Sequence, residues 1–123
     1  MRVKTSELQG AALDWAVAKC EGNLDRGEVI AIGNQTWCWE DGERRRYIPS
    51  TDWSQGGPII EREKINLQCP RGINWQADLW VEERLPTYGH HRYGSGATPL
   101  IAAMRCYVAS KLGDEIDVPD ELS

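Results

Sequence analysis

STDWSQGGPIIE, residues 50–61, is the stretch on which the reading of the chain turns. A hydroxyl pair, an acid and a tryptophan run into two glycines, a proline and two isoleucines. A plain surface turn does not need Trp53, and a plain buried strand does not need Asp52, Gln55 and two glycines. Gly56-Gly57-Pro58 punctuates the chain, and Ile59 and Ile60 read as a return into the core. The stretch is therefore expected to be a corner rather than a regular element. Read so, it divides a set of short β-like runs, with helices only near the two ends.

Towards the N-terminus, residues 6–21 read as a helix, with Ser6 and Gln9 as a capping box and Gly22 as its stop. Leu8, Ala12, Trp15, Ala16 and Lys19 lie along one stripe, with Leu13, Val17 and Cys20 beside it. Arg2-Val3-Lys4 reads as a short strand before it. Residues 28–32 and 35–40 read as strands joined at Gly33-Asn34. Asp41-Gly42 is a hairpin signal leading to a third strand over 45–48. On the second strand Trp37 and Trp39 share a face and Cys38 lies opposite.

Beyond the corner, Ile65 and Leu67 share a face, Gly72 breaks the chain, and Trp75, Ala77, Leu79 and Val81 alternate as one strand face. LPTYGHHRYGSGA, residues 85–97, reads as a long glycine-rich loop. Thr98 is then an N-cap, Pro99 fits the first helical position, and a helix runs to about Lys111 before Gly113. An acidic tail occupies about 114–123, with Ile116, Val118 and Leu122 available to dock it. The expected class is α+β: a short antiparallel or mixed sheet packed with an N-terminal and a C-terminal helix, in a single domain over 1–123.

The formal net charge of −5 argues against non-specific duplex binding, which relies on basic side chains to neutralise phosphates. No apolar run approaches the roughly 20 residues of a membrane helix, and MRVKTSELQG has no apolar core for a secretory signal. Cys20, Cys38, Cys69 and Cys106 lie far apart with no C-x-x-C pair, so free thiols are expected and no metal site. The chain has six tryptophans and no phenylalanine, which leaves one or two tryptophans for a binding surface.

The candidate ligand residues are Ser50, Thr51, Asp52, Trp53, Gln55, Gly56 and Gly57. Glycines let a backbone approach a ligand closely, the polar side chains supply donors and acceptors, and Trp53 supplies a stacking face. The competing reading is structural: Ser50 or Asp52 caps a turn, Trp53 is core, and the glycines serve a bulge. Thr98 joins the candidates because GSGATP puts glycines ahead of a helix N-terminus, where anions are favoured. The spacing is not that of a P-loop. Arg105 joins them as a partner for phosphate or carboxylate, or else for an acid on the first helix. His90 and His91 read as exposed loop residues. No catalytic constellation emerges, so no catalytic role is expected.

SELQGAALDWAVAK, PSTDWSQGGPIIERE and TPLIAAMRCYVASKLGDEIDVP, in that order, resemble the NinX-like family of small bacteriophage proteins. The resemblance implies a phage accessory protein acting in the cytoplasm of the bacterial host, and it carries no catalytic residues across. On that footing the leading expectation is a non-catalytic, cofactor-free sponge for a nucleotide-derived defence signal. It would stack the ligand on Trp53, hold a hydroxyl with Asp52 and a phosphate with Arg105. A protein-binding inhibitor or adaptor of a host protein is the alternative, and a nucleotide-processing enzyme a third. A homo-oligomer is expected, because such pockets are often built between subunits.

Overall fold

The computed structural model describes residues 1–24, 26–40, 42–72, 74–82 and 89–122. Among them are three α-helices and eight strands in three small antiparallel sheets, an α+β arrangement. The helix near the C-terminus, α3 (Pro99–Leu112), is the central element. Thr98 Oγ1 accepts the Ile101 N–H at 3.1 Å and Pro99 occupies the first turn, so the start is fixed as the sequence suggests. Ala102, Ala103, Met104, Cys106 and Val108 are wholly buried. A helix this enclosed needs small side chains where neighbours approach, and Ala102 and Ala103 supply them.

On one side of α3 lies the sheet β5 (Asn66–Gln68), β6 (Trp75–Glu82) and β7 (Gly89–Gly96), paired in that order. Ala77 and Leu79 of β6 face inward, as the alternation suggests. β7 corrects the reading of 85–97 as a loop: from Gly89 to Gly96 it pairs with β6 residue for residue. Residues 85–88 lie outside the described residues. The glycines are there for contact rather than for flexibility. A Cβ on Gly94 would sit 2.5 Å from Ala102 O and Cys106 N, and one on Gly96 would sit 2.6 Å from Ile101 Cγ2. One on Gly89 would strike the Trp80 ring.

The chain ends meet in a second sheet, β1 (Arg2–Lys4) with β8 (Glu115–Asp117). Ile116, Val118 and Leu122 are buried, so the acidic tail docks onto the body. The third sheet is the meander β2 (Val29–Ile32), β3 (Gln35–Glu40) and β4 (Glu43–Arg46). Gly33 and Gly42 take the positive φ its turns require. Asp41 of the second turn lies outside the described residues.

Two readings of local structure are corrected. The first helix, α1, runs from Gly10 to Glu21, with Gln9 as N-cap and no side-chain cap bond, so Ser6 and Gln9 form no capping box. Thr5–Glu7 is a 3₁₀ turn instead. The Thr5 amide donates to Asp114 O at 2.8 Å and its hydroxyl to Gly113 O at 2.7 Å, which ties this segment to the approach of β8. Gly22 ends α1 in the left-handed conformation, as expected.

The second correction is the corner itself. Residues 53–63 form a helix, α2 (Trp53–Glu63). Asp52 Oδ1 accepts from Ser54 N at 2.8 Å and Ser54 Oγ at 2.7 Å, a strong N-cap. Pro58 lies inside the helix and removes one backbone bond. Tertiary packing overrides the poor propensity of two glycines and a proline. Ile59 is buried, and a Cβ on Gly56 would meet Leu100 Cδ2 at 2.7 Å and the carbonyl of Pro49.

The glycines therefore divide into two kinds. Gly94→Ala should lower stability in chemical denaturation by about 1–3 kcal/mol through overpacking against α3. At Gly57 an added Cβ meets only Trp53, at 3.8 Å. Gly57→Ala should therefore raise stability by up to about 1 kcal/mol, the helix-propensity gain. Equal effects at the two positions would contradict the close contact of α3 with β7.

Candidate functional site

The residues singled out around 50–57 come together, but their polar groups are turned to the fold's own use. Gln55 Oε1 accepts Ile48 N–H at 2.6 Å while Gln55 Nε2 donates to Arg46 O at 3.0 Å, which fastens α2 to the end of β4. The Thr51 hydroxyl donates to Ile48 O at 3.4 Å. Asp52 is the N-cap, and the Ser54 hydroxyl and amide hold its carboxyl below the usual range. Gly56 is buried against Leu100 and Pro49. Trp53 is 53% exposed, so it is not core.

Ser50 is buried, and its amide donates to Asp14 Oδ1 at 2.9 Å. The Ser50 hydroxyl lies beside the same carboxyl without a hydrogen bond of good geometry. Asp14 is 2% exposed in the middle of α1. Burial pushes its carboxyl up to about 6, against the opposing pull of Ser50 and the Arg46 charge. The folded protein thus holds this proton more tightly than the unfolded chain does.

Thr98 and Arg105 lie elsewhere. The Thr98 hydroxyl is occupied as the cap of α3. Leu100, which meets Gly56, and Arg105 are five positions apart on α3 and so point about 140° apart. The arrangement of Trp53, Asp52 and Arg105 around one ligand is therefore split between two sides of α3. Nor does Arg105 pair with an acid of α1. Its Nε donates to Leu8 O at 2.7 Å and its Nη1 to Ser95 O at 2.8 Å. The guanidinium thereby clasps the edge of β7 to the segment before α1, and burial lowers its pKa.

Arg105 lines a groove of about 860 Å³ between the edge of β7 and the β1–β8 pair. Ala109 and Leu112 of α3 form its apolar floor. Tyr93, Gly94 and Ser95 line one wall and Arg2, Lys4 and Ser6 the other, with Asp114 and Glu115 beside them. Arg2 already pairs with Glu115 at 3.5 Å and Asp117 at 3.3 Å. The Lys4 ammonium makes no ion pair among the described residues. Tyr93 is 70% exposed, so its ring is available at the mouth. A smaller crevice of about 320 Å³ lies beside Gln55, between Glu21, Glu28 and Tyr47. Its two carboxylates are already paired, with Arg62 and Arg26.

Residues 4–111 match the family described as Bacteriophage P22, NinX. The chain belongs to this family. A search of the curated proteins returns no match. The NinX match takes in Lys4, Arg105 and β7, while Arg2 and β8 fall outside it.

Sequence reasoning also missed a pairing in this NinX-family protein. His91 Nδ1 lies 3.0 Å from Asp78 Oδ2, and the His91 ring contacts Trp80 and Tyr93 at centroid distances of 5.2 and 6.0 Å. Asp78 is thirteen residues before His91 and meets it only through the β6–β7 register. Among the described residues no three His, Cys, Asp or Glu side chains gather as a metal site, and no helix is long and apolar enough to cross a membrane.

The raised pKa of Asp14 sets a testable sign. A proton bound more tightly in the fold contributes stability below about pH 4, and that stability is lost as pH rises through about 6. The shift from 3.8 to about 6 corresponds to a cost on the order of 3 kcal/mol for the ionised carboxylate. Asp14→Asn keeps the acceptor for the Ser50 amide without the charge. Its stability relative to wild type should be near zero at about pH 4 and favourable by about 1–3 kcal/mol near pH 8. Urea titrations of both proteins across that range measure it, and a variant less stable near pH 8 would contradict the assignment.

Proposed function

We propose that this NinX-family protein is a non-catalytic binder of a small anionic, nucleotide-like molecule. In the infected bacterial cell it sequesters a nucleotide-derived defence signal. The observation that carries the reading is the groove at the edge of β7, whose volume falls in the range of small-molecule sites. Lys4 and Arg105 offer charge to a phosphate. Tyr93 offers a ring to stack on a base, and Ser6 and Ser95 offer hydrogen bonds to a sugar. The reading rests on Arg105 and the groove rather than on residues 50–57, where Asp52 caps α2 and Gln55 ties it to β4. A second subunit laid over the open side would enclose the ligand further.

The test is native mass spectrometry of protein purified from infected cells, before and after denaturation. A small anionic molecule should be released in proportion to subunits. Lys4→Glu should lose it without a change in melting temperature, while Trp53→Ala should retain it. A protein that releases nothing, or that carries a host protein in place of a small molecule, would overturn the reading.

A further inference from the structure

The β2–β4 meander presents a face that the groove does not use. Its inner side is built from Val29, Thr36 and Tyr47, all buried. Its outer side follows from the register, because residues directly opposite on antiparallel strands project to the same face. Trp37 stands opposite Arg46 and Trp39 opposite Arg44. Two tryptophans and two arginines thus alternate across two neighbouring strands. Arg44 stacks on Trp37, with its guanidinium carbon 4.8 Å from the ring centroid. Trp39 is 58% exposed, and Arg44 and Arg46 are both exposed.

The charges of this face form no direct ion pair among the described residues. The neighbouring ion pair, Arg45 with Glu43 at 3.6 Å, belongs to the opposite alternation of β4. Among the described residues neither Arg44 nor Arg46 has a carboxylate within ion-pair distance, and Arg46 acts on the buried Asp14 carboxyl only through its charge. In a chain of net charge −5, two exposed guanidinium groups interleaved with indole rings form a local exception. On β2, Ile32 extends the face with an apolar edge, 48% exposed.

We propose that this face binds single-stranded nucleic acid. Bases stack on Trp39 and on the Trp37–Arg44 pair, and Arg46 and Arg44 meet the phosphates between them. Flat rings on a sheet suit unpaired bases, whose faces are free, whereas a duplex buries those faces. The arginines supply charge complementarity and planar groups that also stack. The proposal is separate from the small-molecule groove and survives or fails independently of it.

Fluorescence anisotropy with a labelled oligothymidylate, together with quenching of tryptophan emission, tests it on the full chain. The wild type should bind, quench, and weaken as salt rises, by counterion release. Trp39→Ala should weaken binding by about tenfold or more, the usual effect of losing one stacking ring. Arg46→Glu should weaken it and flatten the salt dependence, while Lys4→Glu should leave it unchanged. Trp39 is exposed and makes no ion pair, so the melting temperature of Trp39→Ala should match wild type. Absence of binding, equal affinity for the duplex, or binding untouched by both face substitutions would each overturn the proposal. So would adsorption to anionic vesicles in place of the oligonucleotide.

Discussion

The contact of α3 with the glycine edge of β7 is the constraint on which the rest of the structure depends. With no side chains at Gly94 and Gly96, the backbone of β7 reaches the backbone of α3 near Ala102 and Cys106. Closeness at that point places the sheet over one side of α3 and leaves the other sides to α1 and α2. It also makes the groove. Because β7 is the last strand of its sheet, its outer edge faces the β1–β8 pair with α3 as the floor between them. Arg105 holds that geometry by bonding to carbonyls on both sides at once.

The opposite flank of α3 is tied by a charged cluster. Arg62 of α2 meets Glu21 of α1 through two bonds, at 3.0 and 2.6 Å, and the Tyr107 hydroxyl of α3 donates to the same carboxylate at 2.5 Å. Burial alone would raise the pKa of Glu21, but the bonds from Arg62 and Tyr107 outweigh it and hold the carboxyl below its usual range. The same cluster, with burial foremost, pushes the Tyr107 hydroxyl up. One carboxylate thus joins three helices. Asp14 does a related task less favourably, since its buried carboxyl anchors the Ser50 amide with little charge compensation. Burial likewise pushes the Cys106 thiol up to about 12, so it serves as a small buried group rather than a nucleophile.

Much of the fold is legible in the sequence, because caps and periodicities are local. Thr98-Pro99 announces α3, Gly22 ends α1, the alternation through Trp75–Val81 gives β6, and Ile116, Val118 and Leu122 dock the tail. The failures share a cause. Glycine in sequence signals either flexibility or a close neighbour, and only the fold separates the two. At Gly56 and Gly94 the neighbour is α3, so in the sequence the helix α2 looks like a corner and the strand β7 like a loop. The site was legible only in part. Arg105 stands out as a cation in the apolar middle of α3, but its companion Lys4 lies far from it in the chain and Tyr93 meets it only through the fold. The polar cluster at 50–55 resembles a ligand site in sequence because capping residues and ligand residues are the same types.

Amide hydrogen exchange, resolved by residue, tests the central contact most directly. If α3 seals β7 against β6, the amides of Arg92 and Gly94 exchange slowly, within reach of the protection of Met104 and Val108 in the middle of α3. Exchange through residues 89–96 at the rate of an unstructured loop, while α3 remains protected, would contradict the account.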